Sequence, residues 1–455
     1  MSILFEQVQL KGLTLKNRFV RSATNAGLSD TTGNLADEEF AVYRMLAQNN
    51  VGLIITGHTY VQHPIGRASA NQNGFYDDRF IEKYKKLAAA VHAYGSKLII
   101  QISCAGRQTN LEATEGQTPL APSPVCYKRT GITPAEMTTQ QIEEMIDAFT
   151  AAIARARQTG ADGVQLHIAH GYALAQFLSP YTNHRKDQWG GSVENRTRII
   201  KEILMRSQHC FDEQFLLLAK LNSTDGYTGP EYLTLDDVIY AARLLEKYGA
   251  ATIEISGGIV ETRDTMSRPG VFPPEQEACF ASAAQAVKQA VSLPIILVGG
   301  LRSLSVMEQL IDDKCADLVA LSRPFIKQPD LVNRLQSEES KSSCISCNAC
   351  LQFQGLLCHM ATETAIELRG FGKMTSLFKE RGWSSPREVK IPGLLTGYGL
   401  LRLLKFNDYP IEVVFINGKA HQPADVIHPG DRVSLVPPGT PGPHRVLLGF
   451  VKSQG

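Results

Sequence analysis

The sequence lacks the features of exported and membrane-spanning chains. Its start, MSILFEQVQLKG, places charged residues a few positions apart and has no apolar signal region. No apolar run approaches the roughly 18 residues that a membrane span needs. We therefore expect a cytoplasmic protein with no membrane partner, in a compartment where disulfides are rare.

An excess of charge of either sign is also missing. The 46 Lys and Arg residues are matched by 45 Asp and Glu residues, so the formal net charge is +1. A surface this close to neutral offers no long-range attraction for nucleic acid, and we expect no nucleic-acid partner. No internal repeat has a period typical of a solenoid. With 455 residues, 43% of them hydrophobic, the chain has room for one large domain and a smaller unit.

Short apolar or β-branched runs recur at intervals too long for hairpins. They are FVRSA (19–23), GLIITGH (52–58), KLIIQIS (97–103), GVQLHIA (163–169), FLLLAKLN (215–222), ATIEISGG (251–258), PIILVGG (294–300) and DLVALSR (317–323). Stretches with helical periodicity lie between them, and strands that alternate with helices pair in parallel. Eight such strands predict a closed (β/α)₈ TIM barrel, with an open doubly wound sheet as the alternative.

Every predicted strand has a polar residue or a glycine close to its end or just beyond it. In (β/α)₈ barrels the chemistry lies at the carboxyl ends of the strands, so we expect the site there. The residues at or just beyond these ends are Thr24, Asn25, Gly57, His58, Gln101, Cys104, His167, Lys220, Gly257, Gly258, Gly299, Gly300, Ser322 and Arg323.

The last two strands predict a phosphate site. Gly299 and Gly300 end the seventh strand, and Ser322 and Arg323 end the eighth. Backbone amides after these strands often hold phosphate in barrels, and an arginine adds a charge-assisted bond. The alternative is that the glycines only permit a tight turn.

Lys220 and Gln101 should face the mouth of the barrel. A buried lysine without an anionic or electron-rich partner is costly, so it indicates such a partner, with a structural salt bridge as the alternative. Gln101 adds an amide nearby. A cation, an amide and a phosphate site around one cavity predict a nucleotide-like cofactor whose ring accepts negative charge, and flavin mononucleotide (FMN) meets that description.

The segment HIAHGY holds His167, His170 and Tyr172. Two histidines three residues apart could ligate a metal, but no HExxH pattern or nearby third ligand accompanies them. They could also be a satisfied pair in the core. The third interpretation is that both imidazoles donate hydrogen bonds to a carbonyl oxygen that becomes anionic, while Tyr172 delivers a proton.

The chain resembles the Old Yellow Enzyme family of FMN-dependent ene-reductases over roughly residues 1–335. The matching segments are LFEQVQLKGLTLKNRFVRSAT, QISCAGRQ, APSPV, HIAHGYALAQFLSPYTNHRKDQWGGSVENRTR, LVGGLR and LSRPFI. The resemblance implies that the cofactor-binding residues are Ala23, Thr24, Asn25, Gly57, Gln101, Lys220, Gly299, Gly300, Ser322 and Arg323. Two positions depart from the family pattern: Cys104, where histidine is frequent, and Ser322, where glycine is common.

The resemblance also implies an activity. NAD(P)H would reduce FMN, and hydride would then pass to the β-carbon of an activated alkene, such as an enone, while Tyr172 protonates the α-carbon. His167 and His170 would polarise the carbonyl group. Two other functions remain open: a flavin and iron–sulfur amine dehydrogenase or demethylase that passes electrons to a carrier, and a catalytically idle redox scaffold.

Four of the nine cysteines are concentrated in CISCNACLQFQGLLC. They are Cys344, Cys347, Cys350 and Cys358, and two of the gaps are CxxC. Such spacing in a reducing compartment indicates a metal centre. It resembles the cluster-binding segment of the dienoyl-CoA reductase and trimethylamine dehydrogenase types of the family, which implies a [4Fe–4S] cluster, although the gaps do not match fully. Zinc and free thiols are the alternatives.

The chain after the barrel is expected to contain two parts. Residues 336–408 are predicted to form a Cys-rich segment and helical connector, and residues 409–455 a small β domain. The motifs VFINGKA and DVIHPGDRVSLVPPG resemble the ubiquitin-like β-grasp domains of ThiS/MoaD sulfur carriers. The final residues HRVLLGFVKSQG lack an exposed Gly-Gly, so we expect a module that docks a protein or electron carrier, within a homo-oligomer.

Overall fold

The computed structural model of the protein describes residues 2–227, 229–337, 339–351, 355–360 and 364–439. In the first three quarters of the chain, strands alternate with helices. The strands are β1 (Val8–Leu10), β2 (Leu13–Leu15), β3 (Phe19–Arg21), β4 (Leu53–Ile55), β5 (Thr59–Tyr60), β6 (Lys97–Ser103), β7 (Leu120–Ala121), β8 (Ala135–Glu136), β9 (Gly163–Ile168), β10 (Leu216–Asn222), β11 (Thr252–Ser256), β12 (Ile295–Val298) and β13 (Leu318–Leu321).

Eight of these strands close into a parallel barrel. The ring runs β3, β4, β6, β9, β10, β11, β12 and β13, and the pairing of β13 with β3 completes it. Each strand lies within one of the runs predicted from the sequence, so the (β/α)₈ prediction is confirmed and the open sheet is excluded. The runs are buried because helices cover the outer face of a parallel sheet.

Helices between the barrel strands, and after the last of them, cover the barrel. They are α1 (Asp37–Gln48), α2 (Ile81–His92), α3 (Thr139–Gln158), α4 (Ala173–Leu178), α5 (Val193–Arg196), α6 (Arg198–Ser207), α7 (Leu235–Lys247), α8 (Arg263–Met266), α9 (Ala281–Ala290), α10 (Leu304–Asp312), α11 (Arg323–Lys327) and α12 (Leu331–Ser337). Helices α3 and α7 both begin at a capping box, on Thr138 and Thr234 respectively. None of the helices in the described ranges is long and apolar enough to cross a bilayer.

Apolar side chains fill the amino-terminal end of the barrel. The hairpin β1–β2 contributes Leu10, Leu13 and Leu15 to a cluster that also contains Val20 and Ile296 from the barrel strands. A second and larger cluster lies between the strands and the helices. Because the amino-terminal end is closed by leucines, the polar side chains of the strands gather at the carboxyl end.

The C-terminal part of the described chain forms a second sheet with its own core. Its elements are β14 (Ala365–Gly370), α13 (Lys373–Glu380), β15 (Arg387–Lys390), β16 (Leu395–Thr396), α14 (Gly397–Leu403), β17 (Val413–Ile416), β18 (Lys419–His421), β19 (Val426–Ile427) and β20 (Arg432–Val436). The five-stranded sheet has the order β15-β14-β20-β17-β18, with β14 parallel to β20 and the other neighbours antiparallel.

Here the structure differs from the helical connector expected over residues 336–408. Strands β14 and β15 lie inside that range and pair with the strand that ends at Val436. The signal was a short alternation in AIELRG, where Ile366 and Leu368 are buried and Arg369 is exposed. One sheet therefore joins strands from both sides of residue 409. The final residues 440–455 lie outside the described ranges.

Asn417 and Gly418 form the turn of a hairpin in this sheet. It connects antiparallel β17 and β18, and φ is 51° at Asn417 and 84° at Gly418. Two-residue hairpin turns of type I′ require positive φ at both positions, and Asn-Gly supplies it at low cost.

Two ion pairs join the C-terminal sheet to helix α1 of the barrel. The Arg44 guanidinium lies 2.9 Å from the Asp425 carboxylate. Arg402, at the end of α14, donates two hydrogen bonds to Glu38, at 3.0 and 2.7 Å. Bidentate arginine–carboxylate pairs fix orientation as well as distance, so the C-terminal unit packs against helix α1 in a defined orientation.

Candidate active site

A cavity of about 540 Å³ opens at the carboxyl end of the barrel strands. It lies where the sequence predicted the chemistry, above the leucine-filled end. Nearly all of the predicted site residues line it. They are Ala23, Thr24, Asn25, Gln101, His167, His170, Tyr172, Lys220, Gly299, Gly300, Ser322 and Arg323.

Gly57 is the predicted cofactor residue that does not line this cavity. Its N–H donates to the Tyr43 hydroxyl at 2.7 Å. A Cβ at Gly57 would lie 2.8 Å from the carbonyl oxygen of Thr24. The glycine therefore allows the ends of β3 and β4 to approach each other, and the structure gives it a packing role.

Lys220 fits both interpretations offered from the sequence: it faces the cavity, where a ligand could bind, and it forms a structural salt bridge. It lines the cavity, and its Nζ also lies 3.1 Å from the Glu254 carboxylate and 2.8 Å from the Ser22 hydroxyl. Lys220 and Glu254 are register partners on β10 and β11, and Glu254 is fully buried. A buried cation paired with a buried anion keeps the barrel mouth close to neutral while leaving hydrogen-bonding capacity.

A chain of amides orients Gln101. Its Nε2 donates to Gln165 Oε1 at 2.6 Å, and Gln165 Nε2 donates to Glu254 Oε2 at 2.9 Å. Neither Gln165 nor Glu254 was predicted as a site residue from the sequence. For Gln165 the available signal was a polar residue in the middle of a buried run, two positions before His167 on the same strand face.

The three residues of the HIAHGY segment converge on the cavity from one strand and its loop. The ring centroid of His167 lies 5.1 Å from the ring centroid of His170 and 4.8 Å from that of Tyr172. His170 has φ of 59°, a sparsely populated conformation for a residue other than glycine. Its N–H donates to Asn222 Oδ1 at 3.1 Å, and its Nε2 is 2.8 Å from Ser256 Oγ. Strand-end side chains thus fix a strained loop.

His167 has a polar atom without a partner. Its Nδ1 is buried and has no hydrogen bond within the described residues. Buried polar atoms are nearly always satisfied, so an unpartnered atom on a side chain that lines the cavity indicates a ligand. The satisfied-core interpretation of the two histidines is therefore disfavoured for His167.

Burial keeps the histidines of the site neutral. It lowers the pKa of His167 and His170 well below the usual range, and the neighbouring Lys220 cation acts in the same direction. Burial also lowers the pKa of His58 to about 4. Neutral imidazoles can donate hydrogen bonds to a carbonyl oxygen without holding a charge in the resting site.

Burial shifts the pKa of Tyr172 upwards, in the opposite direction to the histidines. It raises the pKa of the phenol above its usual value, while the Gln108 side chain beside it lowers it. The phenol therefore keeps its proton at physiological pH. A protonated hydroxyl next to two neutral imidazoles is the arrangement that proton delivery to a bound molecule requires.

The part of the cavity where the sequence predicts a phosphate has open space beside Gly300 and an arginine, Arg323, that is held by hydrogen bonds. Gly300 has φ of 74°, and a Cβ there would meet nothing within 4 Å. The Nη1 of Arg323 donates to the Arg268 carbonyl at 2.8 Å, to the Ser346 carbonyl at 3.2 Å and to Asn348 Oδ1 at 2.6 Å. Arg323 thus joins the cavity to the segment that holds the cysteines, which the sequence did not indicate.

Several residues of the wall have no clear signal in the sequence. His58 follows the strand-end rule but received no role. The others are on loops that only the fold brings together: Ser69, Arg129, Arg268, Cys279 and Ser346. Loop residues are hard to assign because their position depends on the scaffold and not on a local pattern.

The four clustered cysteines are near one another and are not oxidised. Cys344, Cys347, Cys350 and Cys358 are all free thiols. Burial, and next the nearby Cys344 and Cys358 thiols, raise the pKa of Cys350 to about 11. Within the described residues, no three His, Cys, Asp or Glu side chains are close enough to ligate a single metal ion.

The chain matches one family model over most of the barrel. The model is described as the NADH:flavin oxidoreductase / NADH oxidase family, and it matches residues 3–342. An NADH oxidase of Thermoanaerobacter brockii is 35% identical over 347 residues, 76% of this chain and 52% of that protein. An NADPH dehydrogenase of Clostridium acetobutylicum is 32% identical over 329 residues, 72% of this chain and 93% of that protein.

Solved structures give the same result. Morphinone reductase in complex with tetrahydroNAD is similar with a TM-score of 0.61 and 26% identity, over 73% of this chain and 90% of that one. A 2-naphthoyl-CoA reductase complex is similar with a TM-score of 0.72 and 25% identity, over 81% and 61%. The chain spans about half the length of the NADH oxidase and of a metal reductase of Desulforamulus reducens, at 52% each.

Proposed function

Because the chain belongs to the NADH:flavin oxidoreductase / NADH oxidase family, we propose that it is an FMN-dependent enzyme that transfers hydride from NADH or NADPH to an activated alkene. Its substrate is a small molecule with a carbonyl group conjugated to a carbon–carbon double bond. The observation that supports this most is the convergence of His167, His170 and Tyr172 on one cavity.

The residues present suit a flavin nucleotide. The cavity has an amide (Gln101), a cation (Lys220) and open space beside Gly300. When bound, FMN would supply the hydride-transfer chemistry that no side chain of the site can provide. Gln101 and Lys220 would contact the ring, and the segment after β12 would contact the phosphate.

The chain's own residues would position and protonate the substrate. His167 and His170 are neutral donors, so each can give one hydrogen bond to the substrate carbonyl oxygen as negative charge develops there. Tyr172 holds its proton and would deliver it to the α-carbon. His170 is fixed in advance by Ser256 and Asn222, so it loses little orientational freedom when substrate binds.

Two measurements test this function. The purified protein should show a flavin absorption spectrum that bleaches when NADH or NADPH is added without oxygen. Tyr172→Phe should slow reoxidation by an enone by roughly 10²- to 10⁴-fold, the usual contribution of a general acid, while reduction of the flavin changes far less. Absence of bound flavin after gentle purification, or equal loss in both steps, would contradict the proposal.

We also propose that Cys344, Cys347, Cys350 and Cys358 bind a [4Fe–4S] cluster. The spacing and the closeness of the thiols support it, and a cluster needs one thiolate for each iron, not four around a single ion. Iron and acid-labile sulfide should be present after anaerobic purification. Zinc in their place, or neither metal, would reject the cluster.

The C-terminal unit is proposed to be a β-grasp module that docks a protein partner. The sheet order supports the fold, because the first strand (β14) and the last (β20) lie side by side and parallel in the middle. Helix α14 lies between the two halves of the sheet in sequence, as in ubiquitin-like folds. An experimental structure in which β14 and β20 do not pair would contradict the assignment.

A further inference from the structure

His58 is a third imidazole of the site, and the mechanism above does not use it. It follows β4, is 7% exposed and lines the same cavity as Tyr172. Its Nε2 lies 3.3 Å from the Tyr172 hydroxyl, and the ring centroids are 4.6 Å apart. The contact is slightly long for a strong hydrogen bond, as is common in active sites before substrate binds.

We propose that His58 is a positioning residue that donates a hydrogen bond from Nε2 to the oxygen of Tyr172 and stabilises the phenolate left after proton delivery. The inference rests on the proposed role of Tyr172 as proton donor. It adds a residue to the site whose effect is exerted through Tyr172.

Gln72 determines which nitrogen of His58 holds the proton. The Ala68 N–H donates to Gln72 Oε1 at 2.7 Å, which fixes the direction of the amide. The NH₂ group of Gln72 therefore faces His58, 2.8 Å from Nδ1 and 3.1 Å from the carbonyl oxygen. An amide nitrogen only donates, so Nδ1 must accept and the proton must be on Nε2.

Ser103 is compatible with this tautomer. Its hydroxyl lies 3.0 Å from His58 Nδ1 and 3.2 Å from the Thr59 carbonyl oxygen. The single hydroxyl proton can rotate towards either acceptor, so Ser103 can donate to an unprotonated Nδ1. The Nε2–H of His58 is then directed at Tyr172, whose own proton stays available for the substrate.

The surroundings of the pair keep His58 uncharged. His167 and Lys220 face it from β9 and β10, and burial together with the Lys220 charge lowers its pKa to about 4. The titratable groups that influence Tyr172 are on the loop between β7 and β8, Tyr127 and Arg129. His58 therefore acts as a neutral donor over the physiological pH range and is not itself the source of the proton.

The proton step balances in the following way. The alkene gains a hydride at its β-carbon and the proton of Tyr172 at its α-carbon, and the O–H bond pair remains on the phenolate oxygen. The His58 Nε2–H hydrogen bond strengthens as that charge forms, because donors to an ionised acceptor are stronger. Water from the open cavity then restores the phenol proton.

Two variants of His58 separate donation from simple packing. His58→Leu removes the donor, whereas His58→Gln keeps an N–H at nearly the position of Nε2. Enone reoxidation of the reduced enzyme should be roughly 10- to 100-fold slower in His58→Leu, which corresponds to one hydrogen bond to a charged group. In His58→Gln it should recover most of that loss.

Two further measurements test whether the slowed step is proton delivery from Tyr172. Reoxidation by ferricyanide needs no proton from Tyr172, so its rate should fall far less than the enone rate in His58→Leu. The solvent deuterium isotope effect on the enone step should increase, because proton delivery becomes slower. His63→Leu is the matched control: His63 lies outside the cavity wall, stacked on Tyr76, and the variant should match the parent in both assays.

The tautomer can be tested without turnover. Long-range ¹H–¹⁵N correlation spectra of the protein labelled at histidine should show His58 protonated at Nε2 and not at Nδ1. The opposite tautomer would overturn the inference, as would parent-like enone rates and isotope effects in His58→Leu. A protein that binds no flavin, or that transfers hydride to no alkene, would reject the proposed function, and the spectra would still decide the tautomer.

Discussion

Lys220 and Glu254 are charged side chains inside the wall of the barrel, and each depends on the other. Their side chains are 3% and 0% exposed, so both charges are largely removed from bulk water. The sequence indicated Lys220 because a buried lysine needs a partner, but it could not say which one. The partner is identified only by the parallel register of β10 and β11, which places Glu254 opposite Lys220.

Removal of one member of this pair should destabilise the protein strongly. In Glu254→Gln the Lys220 ammonium stays buried without a counter-charge, and such a change typically costs about 3–5 kcal/mol. Urea unfolding should show this loss in the free energy of unfolding. Asp147→Asn is the matched control, because Asp147 pairs with Arg206 on the surface and an exposed pair contributes about 0–1 kcal/mol. Equal effects would contradict the prediction.

The site residues fall into two groups. Those at strand ends could be predicted from the sequence, and those on loops could not. His167 and Lys220 were found because strand ends in a barrel share one rim. Arg129 and Arg268 are on loops without a repeating pattern, so no local signal marks them. The neutral state of the histidines could not be predicted from the sequence either, because it results from burial and from the neighbouring Lys220.

Among the elements, the barrel strands were predicted well and the C-terminal strands poorly. Barrel strands such as β10 are continuous apolar runs, because both faces of a parallel sheet are covered. Strand β14 has one buried face and one more exposed face, and the alternation extends over only six residues, Ala365–Gly370. An alternation this short, between polar stretches, is easily assigned to a connector.

A core substitution in β14 should show that this strand belongs to the C-terminal core. Leu368 is 0% exposed within the cluster that includes Phe378 and Leu435. Leu368→Ala should reduce the free energy of unfolding of this unit by about 2–5 kcal/mol, since it removes packed atoms and leaves a cavity. Arg369→Ala, on the exposed face of the same strand, should change it by less than about 0.5 kcal/mol. Similar values for the two variants would place β14 outside the core.

For the whole molecule, the three buried histidines make stability depend on pH. Burial lowers their pKa values in the folded state, to about 4 for His58 and well below the usual range for His167 and His170. The unfolded chain therefore binds more protons below pH about 6.5. The stabilisation is present above that pH and is lost as pH falls towards the folded pKa values.

Each such histidine contributes a slope of up to about 1.4 kcal/mol per pH unit to the free energy of unfolding. His58→Gln removes one of the three groups, so its unfolding free energy should fall less steeply between pH 6.5 and 5.5. Urea unfolding at several pH values measures both slopes. Parallel curves for the parent and His58→Gln would show that His58 is not a neutral buried group in the folded protein.

The cavity and the cysteine segment are joined by a small polar network around Asn348. Its Oδ1 accepts from Arg323 at 2.6 Å and from Ser267 Oγ at 3.1 Å, and its Nδ2 donates to the Ser267 carbonyl at 2.7 Å. Asn348 lies between Cys347 and Cys350, while Arg323 and Ser267 line the cavity. The network therefore fixes the cysteine segment and one wall of the proposed flavin site together.

Loss of this network should reduce the contents of both proposed cofactors, FMN and the iron–sulfur cluster, at once. In Asn348→Ala the Arg323 side chain loses an acceptor and the cysteine segment loses its attachment, so we expect lower ratios of flavin and of iron to protein after the same purification. Ser343→Ala is the control, because Ser343 is exposed and lies next to Cys344 outside the network. Adding FMN to Asn348→Ala should restore flavin content only at higher FMN concentration than the parent needs. If flavin retention falls while iron content does not change, the two sites are independent and the network serves the cavity wall alone.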